Sequence, residues 1–405
     1  MAKPRATLEE PGRLSRRGHH VRKAGLRRRR FGAALGPASA GRWRVLAADG
    51  SARRRSRGSG VLRASAGLAG SRDQLGAEAE TEAEAESATE CHFDAALADL
   101  LKAFRCSRRF YATCRNAVSE LNAVLGFSVL PFGSFAHSTC CKASDLDVAL
   151  RAADGSPLAV PPVAALARAA RHATASGSGF CVLEEVFSAR VPVLRLKRKA
   201  CGLEVDVSVP DQRCCNADSV VSSTIEELEG RDLIVLVKTW ARRRGIRGAY
   251  EGFLSSYCWT LLSIYVLRKL QQSKAGAEPG DRPSLRAALR AVFEALLQLG
   301  SAAARGRAVD ALRGLLVPRP SGRHIAGRKA PLFVLDPAQP SGNVARCLTS
   351  EGWRMCMVEA KKALQLCLKS DAWAVHALFK EKHEMPGARP TAVRRKRRRA
   401  APLGN

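Results

Sequence analysis

Asp145 and Asp147, two residues apart in the apolar run Asp145-Leu146-Asp147-Val148-Ala149-Leu150, offer the most chemistry in this chain. On a strand, residues i and i+2 share a face. Two carboxylates held side by side in an apolar setting repel unless cations neutralise them, so the pattern calls for a divalent metal, Mg²⁺ or Mn²⁺. A third carboxylate comes from the alternating run Leu203-Glu204-Val205-Asp206-Val207-Ser208-Val209. Asp206 is the expected ligand, with Glu204 as its rival on the same face. Upstream, Gly133-Ser134 directly follows the apolar run Ser128–Phe132. A glycine there lets the backbone approach an anion, and neighbouring amides with the serine hydroxyl can hold a triphosphate.

The elements that must position these groups divide the chain in two. Cys91 to Leu125 carries Phe93, Leu97, Leu100, Leu101 and Phe104 at helical spacing, with Gly126 as a stop. Ser128–Phe132, Leu146–Leu150, Phe180–Phe187, Val191–Lys197 and Leu203–Val209 are short β-rich runs bounded by turn residues. After Ser219 the pattern turns helical: Ile225–Arg244, Leu254–Gln271, Leu285–Leu299 and Gly352–Phe379. The expected fold is therefore α+β, a small mixed-sheet domain at 126–218 packed against a helical domain at 219–385. Helices at 91–125 are expected to pack with the helical domain. The Gly/Pro/Arg-rich stretches Gln272–Pro283 and Arg305–Lys329 are expected as exposed loops, the second with contact to RNA as its alternative.

Composition limits the partners. The net charge is +30, with hydrophobic residues at 46% of the chain. Residues 1–72 are Arg-rich and nearly acid-free, 73–90 form an acidic linker, and 386–405 hold a basic run. The first 90 and the last 20 residues are expected to be disordered, the former a transit peptide or a nucleic-acid-binding tail. The body between them stays basic and suits a polyanion, because Lys and Arg displace counterions condensed on phosphates. The 13 cysteines show no CxxC or zinc-knuckle spacing and read as reduced thiols of an intracellular protein. Nucleus or cytoplasm is expected, or an organelle if the leader is a transit peptide. No apolar run reaches the length of a membrane span, so no membrane partner is expected.

Strand, Gly-Ser, ten residues, Asp-x-Asp and a later strand Asp together resemble the DNA polymerase beta-like nucleotidyltransferase superfamily. Within it, Leu233-Ile234-Val235-Leu236-Val237-Lys238-Thr239-Trp240-Ala241-Arg242, followed by Gly252-Phe253-Leu254-Ser255-Ser256-Tyr257, is similar to the helical PAP-associated domain of noncanonical poly(A) polymerases and terminal uridylyltransferases. So is Leu335-Asp336-Pro337 with Asn343-Val344-Ala345-Arg346, which in that family belongs to the part that closes over the base. The resemblance spans Cys91 to Phe379.

It implies a template-independent enzyme that adds nucleotides to an RNA 3′ end by two-metal catalysis, with Asp145, Asp147 and Asp206 as ligands. Lys238 and Arg242, one turn apart, would neutralise the β and γ phosphates. Gly133, Ser134 and Ser256 would contact phosphate, Tyr257 would stack on the base, and Asn343 would join the nucleotide site. The Asn that contacts the ribose in the family falls at Ala217, with Asn216 one place early, which puts ribose selectivity in doubt. Many uridylyl-adding relatives carry His just before the Asn of the Asn-Val segment, and this chain has Gly342, so ATP is expected over UTP. Three other readings stay open: a uridylyltransferase, an oligoadenylate-synthase-like enzyme, for which Asp336-Pro337-Ala338 and Gly352-Trp353 speak, and an inactive RNA-binding scaffold. With no zinc finger, RRM or KH module in the sequence, choice of RNA falls to the basic body, the tails or a protein partner.

Overall fold

A computed structural model describes residues 92–382 apart from 143, 176, 190, 274–282, 323–324 and 370. The two tails expected to be disordered lie outside the described residues, and so does most of the expected loop Gln272–Pro283. In chain order the elements begin with α1 (92–104), α2 (Arg108–Leu125), β1 (Ser128–Pro131), α3 (Gly133–Ala136), β2 (Leu146–Arg151) and α4 (Pro162–Thr174). They continue with β3 (Phe180–Val186), β4 (Val193–Arg198), β5 (Glu204–Ser208), α5 (Gln212–Glu227), α6 (Arg231–Arg243), α7 (Ser256–Ser273) and α8 (Leu285–Leu299). β6 (Arg307–Asp310), β7 (Leu315–Pro318), β8 (Leu335–Asp336), β9 (Gln339–Asn343), α9 (Ser350–Cys367) and α10 (Ala372–Leu378) complete them.

The expected α+β architecture is present. One mixed sheet runs in the order β1-β2-β5-β4-β3. β2 and β5 are its parallel pair, and β1, β4 and β3 join antiparallel. Alternation drives the centre of this sheet: Val205 and Val207 are fully buried while Glu204 and Asp206 emerge on the other face. α2 starts at Ser107, whose hydroxyl accepts from the Phe110 amide at 3.2 Å, and stops at Gly126 with φ +66°. Its stripe Cys114, Ala117, Leu121 and Leu125 joins Ala165, Leu166 and Ala169 of α4 in one core on the sheet.

A second core belongs to the helices. α6 is buried almost all round, and Trp240 meets Trp259 edge-on at 5.7 Å and Phe293 at 4.8 Å. Such rings add ~0.5–1.5 kcal/mol per pair beyond their buried area.

Two expectations are corrected here. Of the helices at 91–125, α1 does pack with the helical core, through Phe93, Leu97, Leu101 and Phe104, whose ring sits 5.2 Å from Phe379. α2 instead covers the sheet, because its apolar stripe faces the palm core. Within Arg305–Lys329, expected as exposed loop, β6 and β7 form a hairpin with Ala308 and Val309 buried. Gly, Pro and Arg around two four-residue strands hide the alternation that builds it.

Candidate active site

The sheet brings the carboxylates together by register. In the parallel pair β2/β5, Asp147 stands directly opposite Asp206, and Asp145 leads into β2 two residues earlier. Glu204, the rival acid, lies one strand repeat away on the same face and is exposed. Gly133 begins α3 with φ +64°, and a Cβ there would come 3.1 Å from Asp147 Oδ2. Glycine thus serves two needs, a left-handed backbone and a close approach to a carboxylate. The Phe132 amide donates to the Asp147 carbonyl at 3.1 Å, which ties the end of β1 to β2 where the turn begins.

Electrostatics records the crowding. Burial first, then the charges of Asp145 and Asp206, push the Asp147 carboxyl up to about 8. Burial and Asp145 raise Asp206 to about 6, against the pull of Arg195, whose Nε is 3.5 Å from Asp206 Oδ1. Among the described residues, no three His, Cys, Asp or Glu side chains close into a cage that could hold an ion unaided. The trio is an open arrangement, near enough to repel and short of a complete ligand set.

A cleft of about 380 Å³ lies over these strands. Gly133, Ser134, Asp145, Asp147, Lys238, Arg242, Ser256 and Tyr257 all line it, and Asp206 adjoins it beside Asp147. Lys238 is buried on α6 and its ammonium donates to the Thr139 carbonyl at 2.9 Å, with two protons left for other acceptors. Arg242, one turn on, donates to the Lys142 carbonyl at 2.8 Å. Ser256 and Tyr257 open α7, and burial raises the Tyr257 phenol, so it stays neutral.

Residues 93–217 match the family described as poly(A) RNA polymerase, mitochondrial-like, central palm domain. Protein HESO1 of Arabidopsis thaliana is 30% identical over 161 residues, 37% of this chain and 30% of HESO1. Poly(A) RNA polymerase GLD2-A of Xenopus laevis is 31% identical over 86 residues, 21% of this chain and 17% of GLD2-A. Residues 93–217 are thus similar to the palm domain of noncanonical poly(A)/poly(U) polymerases, over less than half of the chain. The chain covers no more than 30% of the length of these curated relatives. Solved structures share its fold. A cytoplasmic RNA terminal U-transferase superposes with TM-score 0.57 at 20% identity, over 71% of this chain and 98% of that one. Cid1 poly(U) polymerase with 3′-dATP gives 0.59 at 20%, over 72% and 99%. The mtPAP–UTP complex gives 0.58 at 16%, over 73% and 75%.

Two residues depart from the expected site. Asn343 is not in the cleft: it is 2% exposed, its Oδ1 accepts from the Val334 and Ala345 amides, and its Nδ2 donates to the Gly327 and Leu332 carbonyls. All of its side-chain donors and acceptors go into holding 325–345 together. Conversely, Asp218 lines the cleft and was not singled out from sequence. Its Oδ1 accepts from the Gly133 amide at 3.2 Å and lies 2.9 Å from His137 Nε2, close but without the alignment of a hydrogen bond. Asn216, two residues before it, is exposed and accepts from Gln212.

Proposed function

We propose that the chain transfers nucleotides from a nucleoside triphosphate to the 3′-hydroxyl of RNA, with adenylate favoured over uridylate. The observation that carries this is the Asp147/Asp206 register pair, with Gly133 packed on Asp147 and Lys238 and Arg242 lining the same cleft.

The residues fit a divalent cation. Asp147 is half-buried against two like charges, and among the described residues no donor bonds its carboxylate, so a cation is the natural partner for its ionised form. Asp145, Asp147 and Asp206 would hold Mg²⁺ or Mn²⁺, the open arrangement leaving ligand positions for substrate oxygens. When bound, the metal makes the RNA hydroxyl more acidic and offsets charge on the phosphates.

The chain's own groups do the rest. The α3 turn presents the Gly133 amide and Ser134 hydroxyl to phosphate, Lys238 and Arg242 balance the leaving pyrophosphate, and Tyr257 offers its ring to the base. The Gly133 amide now engages Asp218, so a phosphate oxygen that takes it displaces a carboxylate. No histidine base is required.

The adenylate preference rests on Gly342. A Cβ there would already press on Gln339 O at 3.0 Å and Asp336 Cβ at 3.3 Å, so the position leaves little room for a uracil-selecting imidazole without movement. Incorporation from each of four radiolabelled triphosphates into an RNA oligonucleotide, with Mg²⁺ and with EDTA, tests the reading. Metal-dependent ATP incorporation is expected. A clear UTP preference overturns the adenylate choice, and no incorporation from any triphosphate overturns the activity.

A further inference from the structure

Cys106, in the link between α1 and α2, lies near Cys114, Cys140 and Cys141, and it faces one of them directly. An isolated antiparallel bridge pairs Arg105 with Cys141, and the Lys142 amide donates to the Phe104 carbonyl at 3.1 Å. The next pair in this register is Cys106 and Cys140. Directly opposed residues of an antiparallel pair bring their Cα atoms to about 4.5–5.5 Å, inside the ~4.4–6.8 Å that a disulfide spans. The sulfurs already touch: the Cys106 thiol donates a hydrogen bond to Cys140 Sγ. Both are free thiols, Cys106 half-buried and Cys140 1% exposed. The other two sulfurs are engaged elsewhere. Cys141 Sγ lies 3.8 Å from the Val235 carbonyl and 3.5 Å from Thr239 Oγ1, on the α6 side, and Cys114 is fully buried in the palm core. Among the described residues no three His, Cys, Asp or Glu side chains could hold a metal, so the chemistry of the pair is that of two thiols.

Cys140 Sγ sits among donors. Besides Cys106, the Tyr111 phenol donates to it, the Ser134 hydroxyl is 3.6 Å away and Lys238 adds positive charge. The Cys106 hydrogen bond leads these influences, and against the cost of burial they bring the Cys140 thiol from 9.0 down to about 7. A thiolate beside a thiol that keeps its proton is the arrangement that small oxidants convert to a disulfide. Where thiols are otherwise kept reduced, such a bond is transient and serves sensing.

The bond would form in the support of the nucleotide site. Ser134 is one of the groups assigned to phosphate, and Cys140 follows Thr139, whose carbonyl holds the Lys238 ammonium at 2.9 Å. In the reduced protein the Cys140 sulfur engages the Ser134 hydroxyl and sets negative charge beside it. A disulfide sulfur is uncharged and a weak acceptor, so oxidation frees that hydroxyl for phosphate and lowers the repulsion that a triphosphate meets.

We propose that Cys106 and Cys140 form a reversible disulfide that tightens nucleotide binding at the α3 turn. Hydrogen peroxide is the oxidant. The Cys140 thiolate attacks one peroxide oxygen, the O–O bond breaks, and the departing hydroxide takes up the proton that Cys140 had released. The Cys106 thiol then attacks the sulfenic sulfur, its proton goes to the leaving hydroxyl, and an S–S bond replaces the S–O bond. Each sulfur loses one electron, the peroxide gains both, and it ends as two waters. A dithiol reverses the step by exchange. The effect on nucleotide rests on the triphosphate-binding reading of the cleft, whereas the disulfide stands on its own geometry.

The test uses the full chain. After titration with hydrogen peroxide, remaining thiols are alkylated and the peptides mapped by mass spectrometry without reduction. The Cys106–Cys140 linkage is expected at the lowest dose that changes any cysteine. Binding of a fluorescent ATP analogue with Mg²⁺ at pH 8 should tighten on the order of threefold on oxidation, the effect of about one unit charge at ~6 Å through an aqueous screen, and relax again with dithiothreitol. Cys106→Ser should bind the analogue as reduced wild type does and show no response to peroxide. Cys106→Ala repeats that comparison, and a thermal melt shows that each variant is folded. Cys347→Ser, at an exposed cysteine outside the pair, should keep the full response. Peroxide that modifies Cys106 and Cys140 separately, or links them to other cysteines, overturns the disulfide. A Cys106–Cys140 bond that leaves affinity for the analogue unchanged or weaker overturns its control of the site. No binding of the analogue in either redox state overturns the triphosphate reading instead, and the peptide map still decides the disulfide.

Discussion

Replacing Asp147 by Asn should make the metal-free protein more stable at pH 8 while abolishing catalysis. The carboxyl has an ordinary value of 3.8, and the folded site pushes it up to about 8 through burial and the neighbouring Asp145 and Asp206. A group whose value is raised on folding contributes stability that is complete below its unfolded value and is lost as pH climbs toward its folded value. For Asp147 the loss therefore accumulates between about pH 4 and about pH 8. At ~1.36 kcal/mol per pH unit the span sets a ceiling of ~5 kcal/mol. The cleft is open to water, and screening reduces the figure to ~1–3 kcal/mol.

Asn fills the same volume, carries no charge and should escape most of this loss. Urea unfolding in EDTA is then expected to show the Asp147→Asn variant ahead of wild type by ~1–3 kcal/mol at pH 8, with most of the gap closed by pH 5. Mg²⁺ should stabilise wild type at pH 8 and the variant much less. A variant less stable than wild type at pH 8 without metal would refute the argument, because the amide would then be losing a favourable contact that the carboxylate makes. An equal gain at both pH values would refute it too, since repulsion between ionised groups must fade as they are protonated.

Three further outcomes follow from the geometry. Gly133→Ala puts a side chain at φ +64° and 3.1 Å from Asp147 Oδ2, so tailing should fall on the order of 100-fold through a displaced carboxylate, with a stability cost of only ~1–2 kcal/mol, read by initial rates beside a thermal melt. Lys238→Ala removes the ammonium that reaches Thr139 O, and the KM for ATP should rise on the order of tenfold with the KM for RNA unchanged, as steady-state kinetics would show. Asn343→Ala orphans the Val334 and Ala345 amides and the Gly327 and Leu332 carbonyls, and the melt should drop by an equivalent of ~2–5 kcal/mol; unchanged stability with a raised KM for ATP would instead restore the nucleotide role expected from its motif.

Legibility in the sequence depended on the range of the physics involved. Asp147 and Asp206 could be set on one face because strand periodicity is a local rule, and the β2/β5 register puts the two opposite each other, with Asp145 just before β2. Gly133 was readable for a similar reason: a glycine between an apolar strand and a short turn signals a conformation other residues avoid. Asn343 shows the limit. Its motif position pointed to a ligand, yet a buried amide with two acceptors and two donors in reach is equally suited to pinning loops, and only the fold shows that the Val334 amide and the Gly327 carbonyl are there. α2 was assigned to the wrong core because amphipathicity tells that a face is buried, not against what. Asp218 gave no signal at all, since a lone charged residue looks the same whether it faces a cleft or bulk water.

The separation of the two cores bears on how the site can function. Asp147 and Asp206 ride on strands whose inward-facing residues Leu146, Val148, Val205 and Val207 are fully buried in the palm core, so sheet packing absorbs the repulsion between the carboxylates. Lys238 lowers the cost of ionising Asp147, but it is carried by α6 in the helical core and reaches the palm through its bond to Thr139. The charge balance of the site is thus shared between two bodies that fold around separate cores. A bound triphosphate would add negative charge where Lys238 and Arg242 meet the α3 turn, and its metals would add positive charge at the strands. Each half then gains from the ligand charge that it lacks alone, so the ligand would strengthen the link that the Lys238–Thr139 bond already makes between them.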